Sequence, residues 1–411
     1  MGERTFLGRL RCSVCGVECG ATPQAACPEC FGPLEPVYDR EAQYRSIERS
    51  PIPQREGTLW RYAEFLPVDG APRAGLESGW TPLRRARRLA QIVGVRTLWI
   101  KDDTVNRPSL SFKDRVVAVS LTKALEFGLE VAACASTGNL ANALAAQAAR
   151  AGMKAVVLVP DDLERAKILF SSAHGARVVP IRGVYDKVNR LCAEAADALG
   201  WAIVNVNLRA YYAEGSKTVG FEIAEQLGWR LPRHVVVPMA GGSLITKIRK
   251  SFREFVGLGL VRDAPCSLHG AQPDGCSPIV RAVRSGAKEV TPVTPKTVVR
   301  SLAIGDPADG PRALETIRSS GGSAAAPTDE EVLESIEILA RTEGVFAETA
   351  GGVTLAGAQR LVREGAIGPD DEVVLAITGH GLKTVEALEP RARIGPSIDA
   401  NLDALRAWLA P

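Results

Sequence analysis

VAACASTGNLANALAAQAARAGMKAVVLVP, residues 131–160, is the stretch on which the fold turns. Residues 131–136 form a short apolar run that reads as a strand, 140–152 an alanine-rich helix stopped by Gly152, and 154–160 a second buried strand. The same alternation extends in both directions. Upstream, TLWIK (97–101) reads as a strand. Downstream come a helix over 161–175 that starts with acidic residues, a strand over 176–181, a helix over 185–199 and a strand over 202–207. After Gly215 the series continues with a helix at 216–228, a strand at 234–239, a glycine-rich turn, a helix at 244–256 and a strand at 267–272. A Pro- and Gly-containing loop at 294–310 precedes helices at 328–343 and 353–364, a last buried strand at 373–379 and a closing helix at 397–409. Short β-branched runs between helical patterns predict an α/β fold with a mostly parallel sheet and helices on its faces.

Before this series, residues 41–95 are mixed and charged, punctuated by Pro51, Pro53 and Pro67. They end in SGWTPLRRARRLAQIVG (78–94), a turn followed by an amphipathic helix with an arginine-rich polar face. The full 411 residues suggest two or three domains, and 46% apolar residues can build a substantial core. Fifty Lys and Arg against 47 Asp and Glu leave +3, which gives no electrostatic footprint for nucleic acid or a membrane surface. Aromatic residues at 5% argue against a base-stacking surface. No apolar run reaches the ~20 residues of a bilayer span, and the start MGERTFLGRLRCSVC has no apolar stretch of a secretory signal. A soluble cytoplasmic protein is expected.

Five of the nine cysteines fall in the first thirty residues. Cys12, Cys15, Cys27 and Cys30 make C-x2-C-x11-C-x2-C, two knuckles able to surround one tetrahedral Zn²⁺, with Cys19 as a spare. Two readings stay open: a zinc ribbon, or free thiols on a ribbon without metal. A site with all four positions filled by protein is structural and leaves no open position for catalysis.

The four histidines show no H-E-x-x-H spacing, and no G-x-S-x-G elbow is present, which disfavours a zincin or an α/β-hydrolase. His234 and His269 lie beside apolar strands, where a packed, hydrogen-bonded histidine is the commoner role. Ser109-Leu110-Ser111-Phe112-Lys113-Asp114-Arg115 reads by itself as a charged loop. Three glycine-containing turns change that reading, because each falls at the carboxyl end of an expected strand: Ser136-Thr137-Gly138-Asn139, Ala240-Gly241-Gly242-Ser243 and Thr378-Gly379-His380-Gly381. Ligands of open parallel sheets bind at the carboxyl ends of the strands. Small residues opening a helix offer free N–H groups to an anion. The pattern therefore predicts a site for at least one phosphate and one carboxylate, with a lysine close by.

These residues resemble a family. SFKDR (111–115) is similar to the lysine segment of fold-type-II pyridoxal-phosphate enzymes. With ASTGNLANA (135–143), YAEGSKT (212–218), PMAGGSLIT (238–246) and TGHGLKT (378–384), the set resembles the threonine synthases. The likeness runs from GWTPL (79–83) to about Thr384, and a ribbon-like start also occurs in parts of that family. It implies a tryptophan-synthase-β-like fold of two open, mostly parallel sheets with helices on both faces, after a small zinc-ribbon-like segment. The implied parts are residues 1–40 as ribbon, 41–105 with 216–411 as a large α/β domain, and 106–215 as a small one. It further implies pyridoxal 5'-phosphate joined to Lys113 as a Schiff base, with Lys113 the mobile base. Asn139 would bond the ring 3-oxygen, Gly241, Gly242, Ser243 and Leu244 the cofactor phosphate, and Thr378 the ring nitrogen. Ser136, Thr137 and the N–H groups of Asn139 and Leu140 would take the substrate carboxylate. Thr81, Arg209, Lys217 and Ser243 are candidates for the substrate phosphate, and His380 and Lys383 for substrate contact or turn stabilisation. The implied reaction turns O-phospho-L-homoserine and water into L-threonine and phosphate, in a homodimer whose small domain closes on the substrate. Arg107, Val116 and the open Ala240–Ser243 turn depart from the usual pattern. They leave room for a relative acting on another phosphorylated or phosphonate amino acid, similar to cysteate synthase.

Overall fold

The computed structural model describes residues 6–136, 138–160, 165–182, 185–392 and 394–409. The central apolar runs of the series are strands buried along their length, as in His234–Pro238 and Ser267–Ala271, whereas the edge strand Arg177–Ile181 is largely exposed. A strand covered on both faces has no reason to alternate, which is why these runs are continuous in sequence. They assemble into two sheets. The larger has the order Ala324–Ala325, Ser267–Ala271, His234–Pro238, Glu372–Ile377, Thr97–Asp102, Leu83–Arg85, parallel except for the last pair. The smaller has the order Arg177–Ile181, Lys154–Pro160, Val131–Ala135, Ala202–Ile203 and is parallel throughout. A third, antiparallel sheet of Glu18–Cys19, Leu7–Cys12 and Leu34–Tyr38 forms the amino-terminal ribbon.

Several expected elements differ. The strand at 202–207 stops after Ile203, because the Asn207 amide takes over the local backbone groups: its Oδ1 accepts from Ile203 N–H (2.8 Å) and its Nδ2 donates to the Trp201 carbonyl (3.0 Å). The helix expected over 353–364 starts earlier, as Thr349–Arg363, and the closing helix is shorter, as Leu402–Leu409. Within 78–94, Leu83–Arg85 is an edge strand and only Arg87–Val93 is helical. The helix expected over 161–175 is described as Arg165–Ala173, and 161–164 lie outside the described residues.

Two cores meet at the crevice. One joins ribbon residues Leu7, Leu10 and Leu34 to Val116, Leu121, Leu144 and Tyr211 around the smaller sheet. The other fills the space beneath the larger sheet with Phe65, Phe221, Ile245 and Phe255. Phe112, one residue before the lysine, packs against both.

Candidate active site

Four loops converge at the carboxyl ends of the strands. After Thr97–Asp102 the chain runs to Lys113, the first residue of the helix Lys113–Glu126. After Glu372–Ile377 it runs through Thr378 and Gly379. The two loops are laced together: Phe112 N–H donates to the Thr378 carbonyl (2.8 Å), His380 N–H to the Leu110 carbonyl (3.0 Å), and Ser111 pairs with Gly379. The Lys113 ammonium lies 4.5 Å from the Phe112 ring centre and 5.7 Å from that of Tyr212. Among the described residues it makes no ion pair, so its nitrogen is available for chemistry.

The helix start is bolted down on its other side. Asp114 is buried, and its Oδ2 accepts from the N–H groups of Ser109 (3.0 Å) and Ser111 (3.4 Å). Burial pushes its carboxyl up to about 6. Arg115 is wholly buried and forks onto Asp103 (2.8 Å) and Glu222, with Thr81 Oγ1 at 2.9 Å and Thr218 Oγ1 at 3.0 Å.

The other two loops supply N–H groups. Asn139 opens the helix Asn139–Ala151 and Ser243 opens Ser243–Gly257, and among the described residues no side chain caps either start. The N–H groups of Asn139, Leu140, Ser243 and Leu244 thus head two helices at their positive ends, which suits anions. Gly242 has φ +94°, and a Cβ there would come 2.9 Å from Ala313 Cβ and 3.0 Å from the Asp309 carbonyl. Beside it Gly241 faces open space. A turn that excludes side chains and ends on an uncapped helix fits a phosphate, so these residues suit the cofactor that the sequence implies. Ser136 Oγ accepts from Gly138 N–H at 3.3 Å, while Thr137 lies outside the described residues.

The sequence reading missed Glu348. Its carboxylate is buried at the centre of the site, where Asn139 Nδ2 donates to Oε2 (2.8 Å) and Thr378 Oγ1 lies 3.5 Å from Oε1. Burial raises its carboxyl above the usual range, against the opposing pull of Asn139, Lys383, Lys113 and Thr378. No local motif marks it, because only the packing of the helix Thr349–Arg363 against the strand Glu372–Ile377 brings it there.

Two expected contacts with the substrate phosphate present no free group. Thr81 is buried inside the Arg115 cluster, where its hydroxyl donates to Asp103 (2.6 Å) and accepts from Arg115. Lys217 is fully buried, held by Glu214 (2.7 Å) and Glu254 (2.9 Å) above the Tyr38 ring. Arg209 pairs with Asp309 at 3.0 Å, and Asp309 N–H donates to the Gly241 carbonyl, which puts this arginine on the rim of the glycine turn. Lys383 is half-buried, with Nζ 3.3 Å from Asn142 Oδ1. Burial lowers its ammonium, with Glu348 and Asp114 pulling the other way. His380 uses Nδ1 to accept from Leu382 N–H and so stabilises the turn.

The four ribbon cysteines gather into one cluster. Their sulfurs lie within 4.8 Å of one another, with Cys12 and Cys30 at 3.5 Å and Cys15 and Cys27 at 3.6 Å. The edge of a tetrahedral zinc site with bonds of about 2.3 Å is about 3.8 Å, so the cluster fits that ion. Cys19 stands apart, accepting from Gln24 Nε2 at 3.0 Å.

Comparison with known proteins agrees with this geometry. Residues 75–379 match the family described as "Pyridoxal-phosphate dependent enzyme". A protein of Methanosarcina acetivorans named "Threonine synthase" is 39% identical over 97% of this chain and 97% of its own length. One of the same name from Methanocaldococcus jannaschii is 37% identical over 97% and 98%. Among solved structures, a processed threonine deaminase isoform 2 of Solanum lycopersicum superimposes with a TM-score of 0.62 at 21% identity, covering 84% of this chain and 92% of that one. At that identity the likeness speaks for the fold alone.

Proposed function

Because the chain belongs to the pyridoxal-phosphate dependent enzymes, and within them to the threonine synthases, we propose that it converts O-phospho-L-homoserine and water into L-threonine and phosphate. The observation that carries the reading is the meeting, in one crevice, of a lysine that makes no ion pair with two helix starts that no side chain caps, among the described residues. Pyridoxal phosphate, held by Lys113, Asn139, Thr378 and the backbone of Gly241, Gly242, Ser243 and Leu244, supplies an electron sink for the bonds at the substrate α-carbon.

The residues of this chain do the rest. The start of the helix Asn139–Ala151, with Ser136, holds the substrate carboxylate. Lys113 takes a proton from Cα and then one from Cβ, which lets phosphate leave from Cγ. Cγ regains a proton to become the methyl group, the hydroxyl of water adds at Cβ, and Cα is reprotonated. Phe112 and Tyr212, the rings beside the lysine nitrogen, limit water around it. Arg209, Ser243 and Lys383 supply the charge and hydroxyl for the substrate phosphate. We take 106–215 as the part that closes, since all four strands of the smaller sheet fall inside it. The homodimer rests on the family likeness.

In the same reading the ribbon holds one structural Zn²⁺, supported by the spacing of its four sulfurs. The cysteines are unpaired, which suits the reducing cytoplasm, and among the described residues no helix is long and apolar enough to cross a membrane.

The test is an absorbance spectrum followed by assay on O-phospho-L-homoserine. A band near ~410–420 nm that shifts with substrate, with phosphate and threonine released, is expected, and Lys113→Ala should abolish band and turnover together. A cofactor band with no reaction on phosphohomoserine would overturn the substrate. No band after added cofactor would overturn the chemistry.

A further inference from the structure

Glu348 has a place in the fold made for its side chain. It precedes the helix Thr349–Arg363 without capping it, and its own N–H donates to the Gly379 carbonyl at 2.9 Å. A Cβ at Gly379 would lie 2.4 Å from Glu348 Oε1, so the glycine of the TGHG turn leaves the room that the carboxylate occupies. Among the described residues the carboxylate has no ion pair. Lys113 and Lys383 act on it from a distance, from the helix Lys113–Glu126 and the turn Gly381–Lys383, and Asn139 and Thr378 are its two neutral neighbours. A carboxylate buried without an ion pair is costly to the fold, and such groups cluster where a protein has a use for them.

We propose that Glu348 is the positioning residue of the cofactor site, one carboxylate fixing both the rotamer of the Asn139 amide and the direction of the Thr378 hydroxyl. Asn139 offers two N–H donors and one carbonyl oxygen. With one N–H spent on Glu348, its flipped rotamer would set oxygen against oxygen. Ionised, Glu348 only accepts from Thr378. Protonated, it can donate, and the hydroxyl proton of Thr378 is released for another acceptor. The charge also faces Lys113, whose attraction draws the carboxyl of Glu348 down against the effect of its burial. The inference rests on the function proposed above, in that Asn139 and Thr378 touch the cofactor.

The experiment titrates pyridoxal phosphate into apoenzyme and follows the pH profile of the visible band in wild type, Glu348→Gln, Asn139→Ala and the double variant. Glu348→Gln keeps the shape of the side chain and removes its charge. Its cofactor affinity should fall about five- to tenfold, with the band's pH midpoint moved to lower pH. Because Glu348 acts on affinity through Asn139, the same change made in the Asn139→Ala background should cost clearly less. Unchanged affinity and an unchanged pH midpoint in Glu348→Gln would overturn the proposal, and so would losses that simply add in the double variant. Should Asn139→Ala fail to fold, the affinity and pH midpoint of Glu348→Gln carry the test alone. A wild type that takes up no cofactor would instead sink the proposed function, which separates the two failures.

Discussion

Arg115 has no exposed surface, yet each of its N–H groups finds an acceptor among Asp103, Glu222, Thr81 and Thr218. Lys101 adds a second cation to Glu222 at 2.6 Å, and two carboxylates answer two cations. Burial alone would raise the Glu222 carboxyl, but Arg115 and Lys101 outweigh it and hold the carboxyl at about 2. A depressed carboxyl stabilises the fold above its unfolded pKa near ~4.5, and that contribution fades as pH falls toward about 2. Glu222→Gln leaves a buried cation uncompensated. It should cost about 3–5 kcal/mol at neutral pH and flatten the acid limb, as read by urea denaturation from pH 7 to 2.5. A loss below ~1 kcal/mol would refute this account. The segment that holds Arg115 was legible in sequence as a lysine motif. The ion cluster was not, because Thr81, Asp103 and Glu222 share no local spacing with it.

At the scale of elements, legibility followed burial. Runs such as HVVVP and EVVLAI announce themselves because both faces of their sheet are covered. The helix Arg40–Arg49 was invisible because the residues it buries are Gln43 and Ser46, polar side chains that give no apolar stripe. Gln43 Nε2 donates to the Glu64 carbonyl and Ser46 Oγ to the Glu64 carboxylate, so hydrogen bonds replace the stripe. Ala324–Ala325 is a strand only because it pairs with Gly270 and Ala271, and two alanines carry no period of their own. The ribbon stands between these cases, since its cysteine spacing shows while its docking does not. Glu35 takes Lys247, Lys250 and Arg312, and Tyr38 donates to Glu214, which joins the ribbon to the helices Ser243–Gly257, Gly310–Ser319 and Arg209–Glu214. Zinc removal with a strong chelator should therefore release about one ion per chain, free four titratable thiols and lower thermal stability, with loss of metal and melting followed together. Thiols that titrate freely in untreated protein, with no metal bound, would refute the zinc reading.

Across the larger sheet, two buried histidines link the strands His234–Pro238 and Ser267–Ala271 to the residues just before Ala324–Ala325 and Glu372–Ile377. Ser323 N–H donates to His269 Nδ1 (3.0 Å), His269 Nε2 meets His234 Nδ1 (2.9 Å), and His234 Nε2 lies 3.0 Å from Asp371. Burial, with His234 alongside, pushes His269 down to about 3. The unfolded chain therefore takes up a proton near pH ~6.5 that the folded one refuses, and stability falls as pH drops from there toward about 3. His269→Gln should remove up to about 1.4 kcal/mol per pH unit of that decline, measured by urea denaturation between pH 7 and 4. An unaltered slope would refute it. The order of the strands in the larger sheet also sets a timetable. Thr97–Asp102 is flanked in that sheet by the short edge strand Leu83–Arg85 and by Glu372–Ile377, which is synthesised roughly 275 residues later. At ribosomal speeds of ~5–20 residues per second, that strand waits some ~15–55 s for its parallel neighbour. The smaller sheet, finished by residue 203, can form during the pause. A nascent chain of this protein therefore carries one finished half and two unpaired apolar edges, those of Thr97–Asp102 and His234–Pro238 on either side of the gap that the last strand fills, and its yield in the cell is expected to depend on what shields them until then.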